Sequence, residues 1–245
     1  MARPRVHLEN APIVEAVIDF RVLRQEQVSA ETFAAIEASI GGHYATKQQI
    51  QTIQAEFGLD NGRLLDRAQT QTLLGWRYQT QTEIAQFRVD GFTFSRIEPY
   101  TTWEAVSGEA FRLWAIYREI AKPTEVTRIA VRYINRLRLP AAANLSEYIE
   151  APPVLPVPIP QAVREFLTRV SVDDSMRGAS AVIVQALEPR VDQSAISLLL
   201  DIDAFRIVKL APDDPSLLEM FGQLRSLKND IFFASITERT VEMYA

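Results

Sequence analysis

The same order of elements can be read twice along this chain: strand, helix, three strands and a long helix in residues 13–121, then again in 126–236. The exits of the two long helices carry the clearest trace, because Thr124, Glu125 and Thr127 ahead of Tyr133 are echoed by Thr237, Glu238 and Thr240 ahead of Tyr244. A repeat limits the folds open to a sequence more than any single motif does. Two copies of this order predict an α+β fold: a duplicated antiparallel sheet with helices packed on one face, a pseudo-repeat of TATA-binding-protein-like or helix-grip-like kind. Residues 1–123 would form the first pseudo-repeat and 124–245 the second, packed together as one compact domain, since almost no linker follows Pro123.

The first copy opens with a clean alternation. Val14, Ala16, Ile18, Phe20 and Val22 share one face of a strand, and Glu15, Asp19 and Arg21 the other. Ser29 can cap a helix carrying Phe33, Ile36 and Ile40, which Gly41 and Gly42 would stop. Three strands are expected next: Ile50 to Leu59 with Ile53, Ala55 and Phe57 inward, Leu73 to Thr82, and Ile84 to Ile97. Asp60, Asn61 and Gly62 suit a turn. Gly91 reads as a bulge, because the apolar parity changes from Phe87 and Val89 to Phe92 and Phe94. Thr101 and Glu104 form a capping box for a helix whose stripe is Trp103, Val106, Ala110, Leu113, Trp114, Tyr117 and Ile120, ended by Pro123.

The second copy begins with a two-faced strand, Val126 to Leu139. Ile129, Val131, Tyr133, Leu137 and Leu139 lie on one side, and Arg128, Arg132, Arg136 and Arg138 on the other. Five prolines in Ala151 to Pro160 make an extended spacer that cannot pair. Strands at Val163 to Val172, Ala179 to Leu187 and Ala195 to Ala204 follow, then a helix from about Asp214 and Pro215 with Leu217, Met220, Phe221, Leu224, Leu227 and Ile231 as its stripe.

Charge and residue counts remove several classes of chemistry. A net charge of −5 and a pI near 5.2 disfavour indiscriminate binding to phosphate backbones or anionic lipid. With no cysteine there is no thiolate nucleophile and no cysteine zinc site, and with only His7 and His43 a histidine-based relay has few parts. No G-x-G-x-x-G, phosphate loop or G-x-S-x-G elbow occurs. No cofactor is implied. The start carries no apolar core of signal-peptide length, and no apolar run approaches membrane-helix length, so a cytoplasmic protein without membrane association is expected.

Asp201 and Asp203, two apart on a strand, are the weak candidates for a divalent cation; a solvated strand end accounts for them as well. The four arginines of one strand face are the strongest polar signal, because they would repel unless carboxylates or an anion lie opposite. Glu15 and Asp19 of the equivalent strand are the expected answer, and a nucleic acid or nucleotide the alternative. Ala181, Ile183 and Leu199 read as an apolar outer face suited to self-association as a homodimer.

Three segments carry a family resemblance: Asn10-Ala11-Pro12-Ile13-Val14-Glu15-Ala16, Phe94-Ser95-Arg96-Ile97-Glu98-Pro99-Tyr100 leading into Trp103-Glu104, and Arg132-Tyr133-Ile134-Asn135-Arg136. In their order and spacing the chain resembles, over essentially its whole length, a sporadically distributed bacterial family of uncharacterised proteins. The resemblance implies no activity or catalytic residue. It implies a gene moved between bacteria, including in defence or toxin-antitoxin cassettes, and it singles out Glu15, Arg96, Tyr100, Trp103, Arg132, Asn135 and Arg136 as a ligand or partner surface. The function expected is a non-enzymatic binding or assembly protein, the partner or regulator of an effector encoded nearby. A nucleic-acid or nucleotide binder using the arginine face is the alternative, and a carboxylate- and metal-dependent enzyme a third reading.

Overall fold

The structure is a computed structural model that describes residues 6–23, 28–56, 59–60, 63–64, 68–141, 143–188 and 195–245, without the side chains of 53–70. The strands are β1 (Ile13–Val22), β2 (Thr46–Glu56), β3 (Leu59–Asp60), β4 (Arg63–Leu64), β5 (Ala68–Gln79), β6 (Glu83–Arg88), β7 (Gly91–Ile97), β8 (Val126–Pro140), β9 (Phe166–Asp174), β10 (Ala179–Leu187) and β11 (Ala195–Leu210). The helices are α1 (Glu37–Ile40), α2 (Trp103–Ala121), α3 (Leu217–Ser235) and α4 (Glu238–Tyr244), with 3-10 turns at Ala30–Ala35 and Leu145–Glu147. Among the described residues no helix is long and apolar enough to cross a membrane.

Nine strands form one antiparallel sheet in the order β2-β5-β6-β7-β1-β8-β11-β10-β9, so the fold is α+β. Strand β1 pairs with β7 on one side and β8 on the other, and β8 then pairs with β11. Each strand's apolar alternation decides which way it faces. Ala16, Ile18 and Phe20 of β1 and Ile129, Val131 and Tyr133 of β8 are buried under the helices, while Glu15, Asp19, Arg21, Arg128 and Arg132 stand on the opposite face.

Helix α2 starts one residue later than its sequence suggests, because the side chain of Thr102, not Thr101, accepts from the N–H of Ala105 (3.2 Å). Its stripe packs on the sheet as expected. The ring of Trp114 stacks on Phe20 with centroids 4.2 Å apart and planes 6° from parallel, and its indole N–H donates to the carbonyl of Pro212 (3.1 Å). Helix α3 joins the same cluster through Phe221, 4.7 Å from Phe20 between centroids. A second cluster under the other end of α3 gathers Leu137, Leu139, Leu198, Leu200, Phe232 and Ile236.

Four expectations need correction. The strand expected over Ile84 to Ile97 is a hairpin of β6 and β7 turning at Val89 and Asp90, with Phe87 opposite Phe92 and Arg88 opposite Gly91. Opposed residues share a face, so the parity change comes from the turn and not from a bulge at Gly91. The helix expected after Ser29 is a 3-10 turn followed by the four residues of α1, and Ser29 makes no side-chain cap, although Phe33, Ile36 and Ile40 are buried as expected. Ala181 and Ile183 face the helices, Ala181 in the core; the outer side of β10 carries Val182 and Val184, with Leu199 of β11 beside them. Finally, β9 begins at Phe166 and β11 runs on to Leu210. The inward side chains expected at Ile53, Ala55 and Phe57, and the turn at Asn61 and Gly62, lie outside the described residues.

Candidate functional site: the helix-free face of the sheet

Alternation along β1, β6, β7, β8 and β11 brings the odd residues of β1 and the arginines of β8 to the face that, among the described residues, no helix covers. There they line a depression of about 590 Å3. Its centre is Asp19, only 8% exposed, whose carboxylate accepts from the Thr93 hydroxyl (2.6 Å), Arg21 Nε (3.2 Å), Arg128 Nη1 (3.3 Å) and Arg88 Nη2 (3.4 Å). Asp90, in the β6–β7 turn, takes the remaining reach of Arg21 (2.8 Å) and Arg88 (3.1 Å).

The strand β8 arginines are answered from β11 as well as β1. Arg132 forks onto Asp201 through two bonds of 2.8 and 2.6 Å, Arg128 donates to Asp203 (2.8 Å), and Arg136 meets Glu188 (3.3 Å). Asp19 therefore answers Arg128 and not Arg132 or Arg136. By register Asp19 stands opposite Ala130, midway between Arg128 and Arg132; on the other side of β8 Asp203 is opposite Arg132 and Asp201 is one pleat beyond it, and it is onto Asp201 that Arg132 forks, leaving Arg128 to bridge Asp19 and Asp203. Glu15 takes part only through its charge near Arg132 and makes no side-chain hydrogen bond among the described residues. Burial pushes the Asp203 carboxyl above the ordinary aspartate range in spite of Arg128.

Around the depression five arginines (Arg21, Arg88, Arg128, Arg132, Arg136) are paired with Asp19, Asp90, Glu188, Asp201 and Asp203, and Glu15 lies beside them; Arg77 of β5, Arg138 of β8 and Arg169 of β9 stand on the same side of the sheet. Arg21, Arg88, Asp90 and Thr93 were not singled out in the sequence. Arg21 was visible in the alternation of β1, but Arg88 and Thr93 meet Asp19 only through the register of a hairpin read there as a single strand. Asp201 and Asp203, the weak metal candidates, do project from one face, where each is engaged by an arginine.

The sheet divides the seven residues singled out by family resemblance. Glu15, Arg132 and Arg136 stand on the open face. Arg96, Tyr100, Trp103 and Asn135 lie on the helix side, where Arg96 binds Glu83 (2.9 Å), the Tyr100 and Tyr133 hydroxyls are 3.0 Å apart, Trp103 begins α2, and Asn135 donates to the carbonyl of Leu200 (2.9 Å). They do not form one constellation.

A further polar cluster, unforeseen in the sequence, joins His43, Glu83 and Glu109, whose ligand-type atoms lie within 4.8 Å of one another. Its carboxylates are already occupied. Glu83 holds Arg96, Glu109 accepts twice from Arg112 at 2.7 Å, and the Tyr44 hydroxyl lies 3.3 and 3.1 Å from the two. Compared with known proteins, the chain matches no family model and no curated protein.

Proposed function

We propose that this chain is a non-enzymatic binding protein whose helix-free sheet face receives a protein partner. One observation carries the reading: the open face is wide and partly exposed, and every arginine lining its central depression, Arg21, Arg88, Arg128 and Arg132, is already engaged by a carboxylate. A face built for phosphates would present guanidinium groups in excess, since affinity for nucleic acid comes from neutralising many phosphates. A protein surface of mixed charge can instead exchange partners with such pairs, and the apolar strip of Val182, Val184 and Leu199, with Leu167 71% exposed on the edge strand β9, adds area free of charge.

The placement of β1 beside β8 at the centre, with the last strand before each long helix (β7 and β11) flanking them, supports a pseudo-repeat divided near Pro123 and of TATA-binding-protein-like kind. The same reading takes the chain as cytoplasmic, as a member of the sporadically distributed bacterial family it resembles, and as the partner or regulator of an effector encoded beside it.

The test is intact-complex mass spectrometry of the protein purified from its host, beside a Val184→Arg, Leu199→Arg double variant. A stoichiometric protein partner held by the wild type and released by the variant is expected. Filter binding with labelled nucleic acid at low salt should show no retention. Retention that Arg128→Gln with Arg132→Gln abolishes would overturn the protein-partner reading in favour of a nucleic-acid binder.

A further inference from the structure

The nine-stranded sheet leaves two strands with one neighbour each, β2 and β9. Strand β2 presents Lys47, Gln48, Gln49 and Gln51, a polar edge of the kind that discourages further pairing. Strand β9 differs. Among the described residues its nine residues pair with β10 alone, so the N–H and carbonyl groups along its outer side lack a partner strand. Val170 and Val172 on that strand are 53% and 38% exposed, and Leu167 is 71% exposed. A long edge with apolar side chains is a template for another strand.

The ladder with β10 divides the side chains of β9. Val170 and Val172 stand opposite Ile183 and Ala181, on the helix side, and their exposure shows that the helices do not reach over them. Arg169, Ser171 and Asp173 stand opposite Val184, Val182 and Ser180, on the open side. Arg169 is exposed and, unlike Arg128 and Arg132, makes no hydrogen bond, ion pair or ring contact among the described residues. Asp173 accepts from the Ser180 hydroxyl (2.6 Å) through one carboxylate oxygen, which leaves the other to accept elsewhere. An unanswered guanidinium and a half-used carboxylate therefore sit two pleats apart on one face of an edge strand.

Two identical edges can pair antiparallel about a two-fold axis perpendicular to the sheet, which keeps the helices of both copies on one side. Opposed residues share a face in such a ladder, so the axis passes through a residue and not between two. An axis at Val170 sets Leu167 against Asp173 and leaves Arg169 facing Ser171. An axis at Val172 sets Ser171 against Asp173 and carries Arg169 past the end of the other copy's strand. An axis at Ser171 places Arg169 of each copy opposite Asp173 of the other, and Val170 opposite Val172, each twice over. The charges of the strand thus select one register.

We infer that β9 is a dimerisation edge: two copies of this chain join antiparallel about Ser171 into one continuous sheet, held by two Arg169–Asp173 pairs on the open side and a strip of four valines on the helix side. The inference does not rest on the partner face, which the dimer leaves open in both copies.

Sedimentation velocity of the full chain, carried up to about 0.5 mM because a single strand pair makes a small interface, should show a monomer–dimer equilibrium. Arg169→Asp and Asp173→Arg each set like charges opposite one another at both pairs and should weaken the dimer by about thirtyfold. An equimolar mixture of the two variants should restore it as a heterodimer, since their charges are then complementary. The chain has no cysteine, so Ser171→Cys reports the axis. Its two Cα atoms would lie about 4.5 to 5.5 Å apart, within disulfide reach, and mild oxidation should link two copies; two Leu167→Cys sites would lie about 26 Å apart and should not link. A wild type monomeric throughout would overturn the inference and leave the edge to a strand of another protein. A dimer that neither charge variant weakens, or variants that fail to associate on mixing, would overturn it too. A dimer broken by Val184→Arg with Leu199→Arg, and not by the β9 variants, would overturn it in favour of association through the open face.

Discussion

Asp19 is the carboxylate on which the open face depends. It is nearly buried and meets three guanidinium groups, so replacing it leaves those arginines crowded and unanswered. Removing one member of a buried charge cluster costs far more than the cluster contributes net. Asp19→Asn is expected to destabilise by about 3 kcal/mol in urea unfolding, whereas Glu15→Gln, two pleats along the same strand, should stay within about 0.5 kcal/mol. Two other aspartates should diverge on acidification. The Asp203 carboxyl is raised by burial, so its ionisation opposes folding above its folded pKa, and that penalty is relieved as pH falls through it. Asp214 accepts from the hydroxyl and N–H of Ser216 and is depressed; its contribution is present above the unfolded value of 3.8 and is lost as pH falls through the lower folded value. A carboxyl-carbon NMR titration should find Asp203 titrating well before Asp214.

Helix α2 and the β6–β7 hairpin show how single elements were read from pattern and where pattern misled. The stripe of α2 specified which side chains would be buried, and Trp114 is 2% exposed between Phe20 and Tyr117. Trp114→Ala should lower stability by about 3 to 5 kcal/mol; a melting temperature unchanged within error would contradict the packing described. The hairpin was missed because two short strands joined by Val89 and Asp90 look, in one dimension, like a long strand with a parity slip. Gly91 is needed for a reason invisible in sequence: at φ +154° a Cβ there would lie 2.2 Å from the carbonyl oxygen of Phe20 on the neighbouring β1. Gly91→Ala should therefore prise β7 from β1 and cost about 2 kcal/mol or more in chemical denaturation, beyond the effect of helical or strand propensity.

One aromatic cluster crosses the middle of the molecule. Phe20 of β1 and Phe111 of α2 contact Phe221 of α3, so both ends of the chain bury side chains in the same core. The shared core, together with the β1–β8 pairing, should make unfolding a single cooperative event. All three tryptophans, Trp76, Trp103 and Trp114, precede Pro123, so their fluorescence reports the first part of the chain while far-UV dichroism reports the whole. Coincident transitions by the two probes are expected, and Phe221→Ala should shift both together; separate midpoints would show that the two parts unfold independently.

Local chemistry was enough to assign the faces of β1, β8, α2 and α3. Period-two alternation in β1 and β8, and the apolar stripes of α2 and α3, identify which residues enter the core because burial of apolar surface acts on each element's own pattern. The arginine face was legible for the same reason, and so was its need for carboxylates. Which carboxylate meets which arginine was not, since pairing depends on strand order and register: Asp201 reaches Arg132 because β11 lies beside β8, sixty-nine residues apart in the chain. The parity of β10 was misassigned where both of its faces are apolar and alternation is silent. The burial of Lys228 lay wholly beyond sequence, because a lysine in an amphipathic helix looks solvent-facing until tertiary packing lays the chain before β1 and the loop after β7 beside it and closes it away from water.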